Sequence, residues 1–362
     1  MEIIAYAASA YLLVQLAVVL INLFTRIILR PALPKEDHMV SVLIPARNEE
    51  ANIGPLLDDL LDLDYPKMEI LVYDDDSSDG TAGIVRARVL ADSRVKYLKG
   101  EGPLPGWLGK NHACHQLARQ AGGEYLLFLD ADVRVRRGII AHTLAYLQKY
   151  NLALLSLFPV QVMKSFGEWL TVPLMNRILL GNLPLIFIRK IQLPDFTAAN
   201  GQFMLFDATI YKQHWFHKLV NDEKVEDIRI MRMVKKLGYK GQTLLSDGQV
   251  SCRMYRSYAE GLSGFARNIN AFFGKNWLIL LAYLLLTSAG PVAVWLAFPL
   301  PVFVAYLAIL VLVRIIISIE SRQSWWRNTL LMPLQQASLL TIAAIAGYRH
   351  LTGQHTWKGR KV

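Results

Sequence analysis

The stretch that decides the fold is Tyr125–Asp132, with the sequence YLLFLDAD. Its five leading residues are typical of a strand buried in a parallel sheet, and two aspartates follow at once. Because side chains alternate along an extended chain, Asp130 and Asp132 share one side of the strand's end. Carboxylates so close repel each other, and a divalent cation relieves the repulsion. The pattern therefore predicts a Mg²⁺ or Mn²⁺ site at this pair, with a solvated acidic turn as the alternative.

Apolar residues are concentrated at the two ends of the chain. They make up 53% of the 362 residues, which is more than an ordinary soluble protein contains. Residues 1–25 hold an apolar run that is long enough to cross a bilayer as an anchor. The region 276–350 has room for two further spans, which we place at 276–298 and 299–319, and for a third segment at 329–347.

The charges around the first apolar run set its orientation. Glu2 precedes the run, whereas Arg26, Arg30 and Lys35 follow it. A signal peptide has the opposite arrangement, and basic residues favour the cytosolic side. We therefore expect an uncleaved anchor, a cytosolic domain at residues 36–270 and a multi-pass protein of the cell membrane.

The third C-terminal segment raises a topological conflict. Three complete C-terminal spans would put the basic tail at 357–361 outside, against the positive-inside bias. We therefore predict that residues 329–347 re-enter the membrane or lie at its surface. Arg314 interrupts the preceding span, and we expect its side chain to snorkel to the cytosolic end.

The net charge of +10 points to the membrane surface as a partner. A basic chain is attracted to the anionic lipid of the inner leaflet. A basic motif interleaved with aromatic residues is absent from the sequence, so nucleic acid is not an expected partner. The two cysteines, Cys114 and Cys252, fit a reducing compartment without a disulfide.

The middle domain alternates between strand-like and helix-like segments. The predicted strands are Met39–Pro45, Glu69–Tyr73, Val95–Leu98 and Tyr125–Leu129. We expect helices between them, the first capped by Asn48 and running to Leu61. This rhythm predicts an α/β fold with a parallel sheet and helices on both faces. The glycine fingerprint of dinucleotide-binding folds is absent after the first strand.

Further polar residues follow these strands. Asp74, Asp75 and Asp76 come after the second strand, where carboxylates can accept from a base or a ribose; we favour that role for Asp74 and Asp75. Lys110 begins a helix, where it can reach a phosphate. Trp107 in the preceding loop either stacks on a base or packs. His112, Cys114 and His115 do not point at a common centre and are expected to be ordinary helix residues.

Two more segments carry candidate site residues. Glu226 and Asp227 begin a helix with apolar residues at 228, 231, 234 and 237. Acids are common in a first helical turn, but a metal and diphosphate site also needs a base, and Asp227 is the candidate. Arg253 and Arg256 either clamp diphosphate oxygens or contact lipid headgroups. The apolar segment 166–193 is too interrupted to span, so it lies in the interface or in a core.

In combination, these motifs resemble the membrane-bound family 2 glycosyltransferases. The resemblance covers about residues 38–270 and is strongest to the diaponeurosporenoate (carotenoid) and hopanoid-associated branch. It rests on motifs in the family's order: Pro45–Glu50, Asp74–Thr81, Gly109-Lys110, Asp130-Ala131-Asp132 and Glu226-Asp227. It implies a GT-A fold with a Rossmann-like mixed sheet, flanked by transmembrane helices.

The resemblance also implies a role for each site residue. The residues that would hold the uridine are Pro45, Arg47, Glu49, Asp74 and Asp75. Lys110 would lie near the diphosphate, and Asp130 and Asp132 would hold ribose or phosphate and the metal. Asp227, beside Glu226, would be the base of an inverting transfer.

One departure from the family bears on the acceptor. Processive and ceramide-type members carry a Gln/Arg-x-x-Arg-Trp motif, whereas here Ser257 follows Arg253–Arg256 in place of the Trp. The absence of this Trp argues against a chain-building polysaccharide synthase and leaves the acceptor open. The resemblance implies that a single sugar, from a UDP-hexose, is moved to a membrane lipid such as a carotenoid or another isoprenoid. The alternatives are a polyprenyl-phosphate sugar transferase, a polysaccharide synthase and an inactive membrane scaffold.

Overall fold

The computed structural model describes residues 1–352, 356–357 and 360–361. The chain divides into two compact units. The α/β unit comprises Ile27–Val160 and Leu185–Arg253. The helical unit comprises Met1–Arg26, Gln161–Pro184 and Met254–Val362.

Strands occur mainly in the α/β unit. The strands described before the C-terminal tail are β1 (Val40–Ala46), β2 (Met68–Asp74), β3 (Val95–Lys99), β4 (Tyr125–Leu129), β5 (Val133–Val135), β6 (Leu154–Phe158), β7 (Val160–Gln161), β8 (Phe203–Asp207), β9 (Gly241–Leu245) and β10 (Val250–Cys252). Seven of them form one sheet in the order β3-β2-β1-β4-β8-β6-β9. The short strands β5 and β10 pair antiparallel beside it.

Helices occur in both units. Those of the described chain are α1 (Glu2–Thr25), α2 (Ile53–Leu61), α3 (Thr81–Ala91), α4 (Gly109–Gln120), α5 (Ile139–Tyr150), α6 (Phe166–Thr171), α7 (Pro173–Asn182), α8 (Ile186–Lys190), α9 (Ala208–His214), α10 (Phe216–Leu219), α11 (Glu226–Lys236), α12 (Tyr258–Phe272), α13 (Trp277–Ser288), α14 (Gly290–Ala297), α15 (Leu300–Glu320), α16 (Trp325–Leu330) and α17 (Met332–Thr352).

The first four strands follow the sequence pattern closely. β1 to β4 begin and end within one residue of the predicted bounds, and β1 pairs in parallel with β2 and β4. The apolar side chains of β1, β2 and β4 are mostly buried on both faces, as a sheet covered by helices requires, whereas those of the edge strand β3 are partly exposed. The predicted cap at Asn48 is wrong. Asn48 has a left-handed φ of 51°, its side chain accepts from the Ser78 amide, and α2 begins only at Ile53.

The sheet is mixed rather than fully parallel. β8 runs antiparallel to both of its neighbours, β4 and β6. Phe203 at the start of β8 pairs with Leu129 at the end of β4, and the amide of Asp130 donates to the carbonyl of Gln202 at 3.3 Å. This reversal brings the chain just before β8 to the edge where Asp130 and Asp132 lie.

α11 confirms the predicted helix start at Glu226. Its buried face contains Ile230, Met231 and Val234. The apolar pattern also predicts that Leu237 belongs to this face, which is wrong, because Leu237 follows the helix and is 45% exposed. The buried face thus ends one turn earlier than the periodicity suggests.

Two helices of the helical unit are long and apolar enough to cross a membrane. Among the described residues these helices are α1 and α15. α12 and α13 are long and apolar enough only when taken together, and the pair is bent by 111°. The predicted span 276–298 is divided between α13 and α14, and Pro291 lies in the first turn of α14. Residues 332–347 lie inside the continuous helix α17, and their re-entry into the membrane stays a prediction.

The expectation that Arg314 snorkels is wrong. Its side chain is only 3% exposed, and its guanidinium donates to the Asn328 carbonyl at 3.3 Å and to the Gln335 side chain. Neutral polar groups on neighbouring helices therefore accept hydrogen bonds from this arginine inside the unit.

The interrupted segment 166–193 folds as short helices. α6 begins with a capping box between Ser165 and Glu168, and Pro173 begins α7. α7 packs against α1, and Asn22 donates to the carbonyls of Leu180 and Leu183. These contacts make residues 166–184 part of the helical unit, and the position of segment 166–193 at a membrane interface stays a prediction.

Candidate active site

The site is centred on the carboxylates that follow β4. Asp130 and Asp132 lie in the turn between β4 and β5, and their like charges repel each other. Burial and then the Asp130 charge raise the pKa of Asp132 to about 6. Burial also raises the pKa of Asp130, against the opposing effect of Lys110. The pair therefore favours a cation.

Lys110 supplies a cation to these carboxylates in the present structure. Its Nζ lies 2.8 Å from Asp130 Oδ1 and 3.0 Å from Glu226 Oε1. Burial on its own would lower the pKa of Lys110, but the two carboxylates outweigh burial and raise it. Lys110 is thus a permanent positive charge at the first turn of α4. Its predicted contact with a diphosphate is not tested by these contacts and stays a prediction.

The carboxylate of Asp132 fits a metal ligand. Within the described part of the chain its Oδ1 is buried without a hydrogen-bond partner. The described residues contain no group of three or more His, Cys, Asp or Glu side chains that could hold a metal ion. Mg²⁺ and Mn²⁺ do not need such a cage, because they keep waters and take phosphate oxygens beside one or two carboxylates. Asp130 and Asp132 therefore suit an open site of that kind.

Asp227 is held in a fixed orientation at the start of α11. Its Oδ2 accepts from the Gly201 amide at 2.9 Å, and its Oδ1 accepts from the Ile228 amide at 2.7 Å. Burial and then the neighbouring Glu226 raise its pKa to about 7. A carboxylate with this pKa can both accept and release a proton near neutral pH. Glu226, in contrast, is committed to its ion pair with Lys110.

Sequence reasoning missed the residues that come from the loop before β8 and from β10. A Cβ on Gly201 would lie 3.0 Å from both Lys110 Nζ and Glu226 Oε1, so a larger residue would require this ion pair to shift. Gln202 Nε2 donates to Cys252 Sγ at 2.8 Å, and Cys252 hydrogen-bonds Asp132. The glycine between two amide residues directly before a strand was the available signal.

Two of the residues predicted to hold the nucleotide, Asp74 and Asp75, lie at the carboxyl end of β2. Asp74 uses both oxygens inside the protein, since Oδ1 accepts from the Ser77 amide at 3.0 Å and Oδ2 from the Tyr97 hydroxyl at 2.8 Å. These bonds hold the turn after β2, and nucleotide binding by Asp74 stays a prediction. Asp75 is anchored to Arg47, whose Nη1 donates to the Asp75 carbonyl at 2.6 Å and lies 3.8 Å from its carboxylate.

Glu49 and Pro45 are also predicted to hold the nucleotide. Glu49 lies within electrostatic reach of both Asp130 and Asp132, and its Oε2 accepts from Asn52 at 2.7 Å. Pro45 lies in β1 opposite Tyr73 of β2. Nucleotide binding by Arg47, Glu49, Asp75 and Pro45 stays a prediction.

Trp107 packs on two histidines of the next helix. The centre of its ring lies 5.6 Å from that of His112 and 5.3 Å from that of His115. His112, Cys114 and His115 all lie on α4, and that they do not form a metal site stays a prediction. Arg253 directly follows β10 in the α/β unit, whereas Arg256 is exposed and belongs to the helical unit. Their predicted clamp on a diphosphate remains untested.

Comparison with known proteins assigns a family to the middle of the chain. The family model described as "Glycosyl transferase family 2" matches residues 41–219. This chain carries a family 2 glycosyl transferase domain. The match begins in β1 and includes Lys110, Asp130, Asp132 and Gly201, while Glu226 and Asp227 follow it in sequence.

Individual relatives agree with this family. The glycosyl transferase domain is similar to 4,4'-diaponeurosporenoate glycosyltransferase of Staphylococcus aureus, with 34% identity over 139 residues. That stretch covers 36% of this chain and 34% of the relative, so the chain spans about a third of the length of the curated relatives it matches. In fold, the chain is similar to a mannosyltransferase from Pyrobaculum calidifontis solved with GDP-Man and Mn²⁺. The TM-score is 0.62 at 20% identity, covering 98% of this chain and 99% of that one.

Proposed function

We propose that this protein is an inverting glycosyltransferase that moves a sugar from a nucleotide-sugar donor to a membrane lipid at the cytosolic face. The observation that carries the proposal is the arrangement of Asp130, Asp132, Lys110 and Asp227 at one edge of a family 2 domain. Paired acids for a metal, a fixed cation and a carboxylate with a pKa near neutrality are the groups that glycosyl transfer from a diphosphate requires.

On the donor side, Asp130 and Asp132 would hold Mg²⁺ or Mn²⁺. The bound cation supplies positive charge that stabilises the departing nucleotide diphosphate. Lys110 adds a further positive charge beside Asp130. We propose a UDP-hexose as the donor, and the GDP-Man bound by the Pyrobaculum mannosyltransferase makes GDP-sugars the comparison to include.

On the acceptor side, Asp227 would take the proton. The acceptor oxygen forms its bond to the anomeric carbon while the bond from that carbon to the diphosphate breaks. The hydroxyl proton passes to the carboxylate of Asp227, which the amides of Gly201 and Ile228 keep in place. Attack on the face opposite the diphosphate inverts the anomeric configuration.

A lipid acceptor is supported by one feature of the chain and by the name of a relative. α1 and α15 have the length and hydropathy of membrane spans. The Staphylococcus relative is named for a carotenoid acid, which is itself a membrane isoprenoid. We therefore propose an isoprenoid or another glycolipid precursor as the acceptor class.

The deciding experiment measures nucleotide release from the detergent-solubilised full chain. UDP- and GDP-sugars are offered with Mn²⁺ or Mg²⁺ and a lipid extract, to wild type and to Asp227→Asn. The matched control is Asp222→Asn, because Asp222 is exposed in the loop before α11. We expect release that depends on lipid, is lost in Asp227→Asn and is kept in Asp222→Asn.

Other outcomes separate the alternatives. Release that does not need lipid would contradict the proposed acceptor class, and a polymeric product would favour a polysaccharide synthase. Neither release nor metal-dependent nucleotide binding with any donor would overturn the proposal in favour of an inactive scaffold.

A further inference from the structure

The helical unit holds two arginines whose hydrogen-bond partners are neutral. Arg177 on α7 donates to Gln336 Oε1 at 2.7 Å. Arg314 on α15 donates to the side chain of Gln335 and to the Asn328 carbonyl. Glu320, the acidic residue of α15, interacts electrostatically with neither arginine. Within the described residues, both positive charges thus lack a carboxylate partner.

The two arginines are close to each other. They donate to adjacent residues of α17, Gln335 and Gln336, and their charges repel. A guanidinium does not release its proton, so neutralisation cannot relieve this repulsion. Arg314 is buried and Arg177 is half-buried. A cation held away from water without a counter-charge is costly, and more so inside a membrane. An anion bound between them would remove that cost.

Three tyrosines interact with these two arginines. Tyr11 of α1 and Tyr306 of α15 lie within electrostatic reach of Arg177. Tyr283 of α13 interacts with Arg314, is 4% exposed, and its hydroxyl has no hydrogen-bond partner among the described residues. A buried phenol without a partner is unusual and is an independent sign that a polar ligand belongs here.

We propose that this two-arginine cluster, formed by Arg177, Arg314, Tyr283 and Gln336, binds the anionic headgroup of a membrane lipid. Paired guanidiniums match the oxygens of a phosphate or a carboxylate, and the phenol of Tyr283 provides a further donor. A lipid fits better than a soluble anion because α15 and α13 expose apolar side chains for its tails, among them Leu281, Leu285, Leu307 and Leu312. The site is additional to the proposed catalytic centre, and it does not depend on which sugar or acceptor is used.

The test uses the full chain in an uncharged detergent. Thermal unfolding and native mass spectrometry are recorded with phosphatidylglycerol, a fatty acid, phosphatidylcholine and inorganic phosphate. The variant is Arg177→Gln, and the matched control is Arg267→Gln, because Arg267 is exposed on α12 of the same unit. We expect phosphatidylglycerol or the fatty acid to bind and stabilise wild type and Arg267→Gln. In Arg177→Gln the affinity should fall at least about tenfold, as for one lost charged hydrogen bond.

The lipid arms separate the possible headgroups. Preference for the fatty acid would assign a carboxylate, and preference for phosphatidylglycerol a phosphodiester. Equal binding of phosphatidylcholine, or equal binding to Arg177→Gln, would overturn the proposal. Stabilisation by inorganic phosphate alone would assign a soluble anion and also overturn it. If Arg177→Gln does not fold, Tyr283→Phe removes only the hydroxyl, and unchanged binding of phosphatidylglycerol by that variant would be the contradicting result.

Discussion

At the residue scale, Asp132 carries the most specific feature of the site. One of its oxygens is buried without a partner in the described chain, whereas Asp130 is already paired with Lys110. Replacing Asp132 by Asn keeps the shape but removes the charge and the ligand strength of a carboxylate. We expect Asp132→Asn to weaken Mn²⁺ binding in the presence of UDP by at least about tenfold. Electron paramagnetic resonance of free Mn²⁺ measures this without turnover.

The control for that measurement is Asp62→Asn. Asp62 is an exposed aspartate paired with Arg137 on the surface of the same unit. Its variant should bind Mn²⁺ as wild type does. Mn²⁺ binding that is equal in Asp132→Asn and wild type would remove Asp132 from the metal site.

The raised pKa of Asp227 predicts the pH dependence of the reaction. The ionised form is the base, so kcat/KM should rise with pH and level off above about 7, the pKa of Asp227. Since positioned acids and bases contribute about 10²–10⁴ in rate, Asp227→Asn should lose that factor and the inflection with it. A profile that stays flat between pH 5 and 8 in wild type, at constant metal saturation, would contradict Asp227 as the base.

The raised pKa of Asp227 also predicts how the stability of the protein depends on pH. The pKa of Asp227 is raised in the folded state from 3.8 to about 7, so its contribution to stability is complete at low pH and is lost as pH rises through 7. Asp227→Asn cannot ionise. In the metal-free protein the Tm of the variant relative to that of wild type should therefore rise between pH 4 and pH 8, on top of a pH-independent cost from the acceptor that Asn loses towards the Gly201 or Ile228 amide. Thermal unfolding with chelator at both pH values measures the effect, and a Tm difference that stays constant or falls towards pH 8 would contradict it.

The sequence revealed the charged residues of the site but not how they pair. Asp130, Asp132 and Asp227 were recognisable because each follows a strand or begins a helix in a pattern with a chemical use. Gly201 and Cys252 were not, because they reach the site only through the reversed β8 and the separate strand β10. Local patterns carry no information on such distant contacts. The same limit hid the two neutral partners that bury Arg314.

At the element scale, the turn before β4 depends on glycine for its close approach to β1. A Cβ on Gly123 would lie 2.7 Å from the Ser41 amide nitrogen and 2.9 Å from the Met39 carbonyl oxygen, and backbone atoms cannot give way as a flexible side chain can. We expect Gly123→Ala to lower the free energy of unfolding by at least about 2 kcal/mol. Denaturant unfolding of the full chain followed by tryptophan fluorescence measures it.

A second glycine in the same unit serves as the control. Gly83 lies inside α3, and no atom outside its own helix turn lies within 4 Å of the place that an added methyl group would occupy. Gly83→Ala should stabilise the protein by about 1 kcal/mol, since alanine favours a helix. Equal effects of the two substitutions would show that the space around Gly123 does not decide its role.

At the scale of the whole molecule, the chain combines a family 2 domain with apolar helices, and the proposed orientation can be tested directly. A reporter fused after Val362 should read cytosolic if residues 329–347 do not cross the membrane, and a reporter fused before Met1 should read extracytoplasmic. A paired phosphatase and fluorescent-protein fusion measures both ends. An extracytoplasmic reading after Val362 would show that α17 crosses.

The strand order has a consequence for how the protein is made. β3, β2, β1 and β4 are neighbours in the sheet and are all synthesised before residue 130, so half of the sheet can pair early on the ribosome. The other edge of β4 stays unpaired until β8 has been synthesised, which takes several seconds at a translation rate of about 5–20 residues per second. During that interval an exposed hydrophobic strand edge is open to wrong partners. Slow codons or chaperone binding between β4 and β8 should thus affect the yield of folded protein more than the same changes after β9.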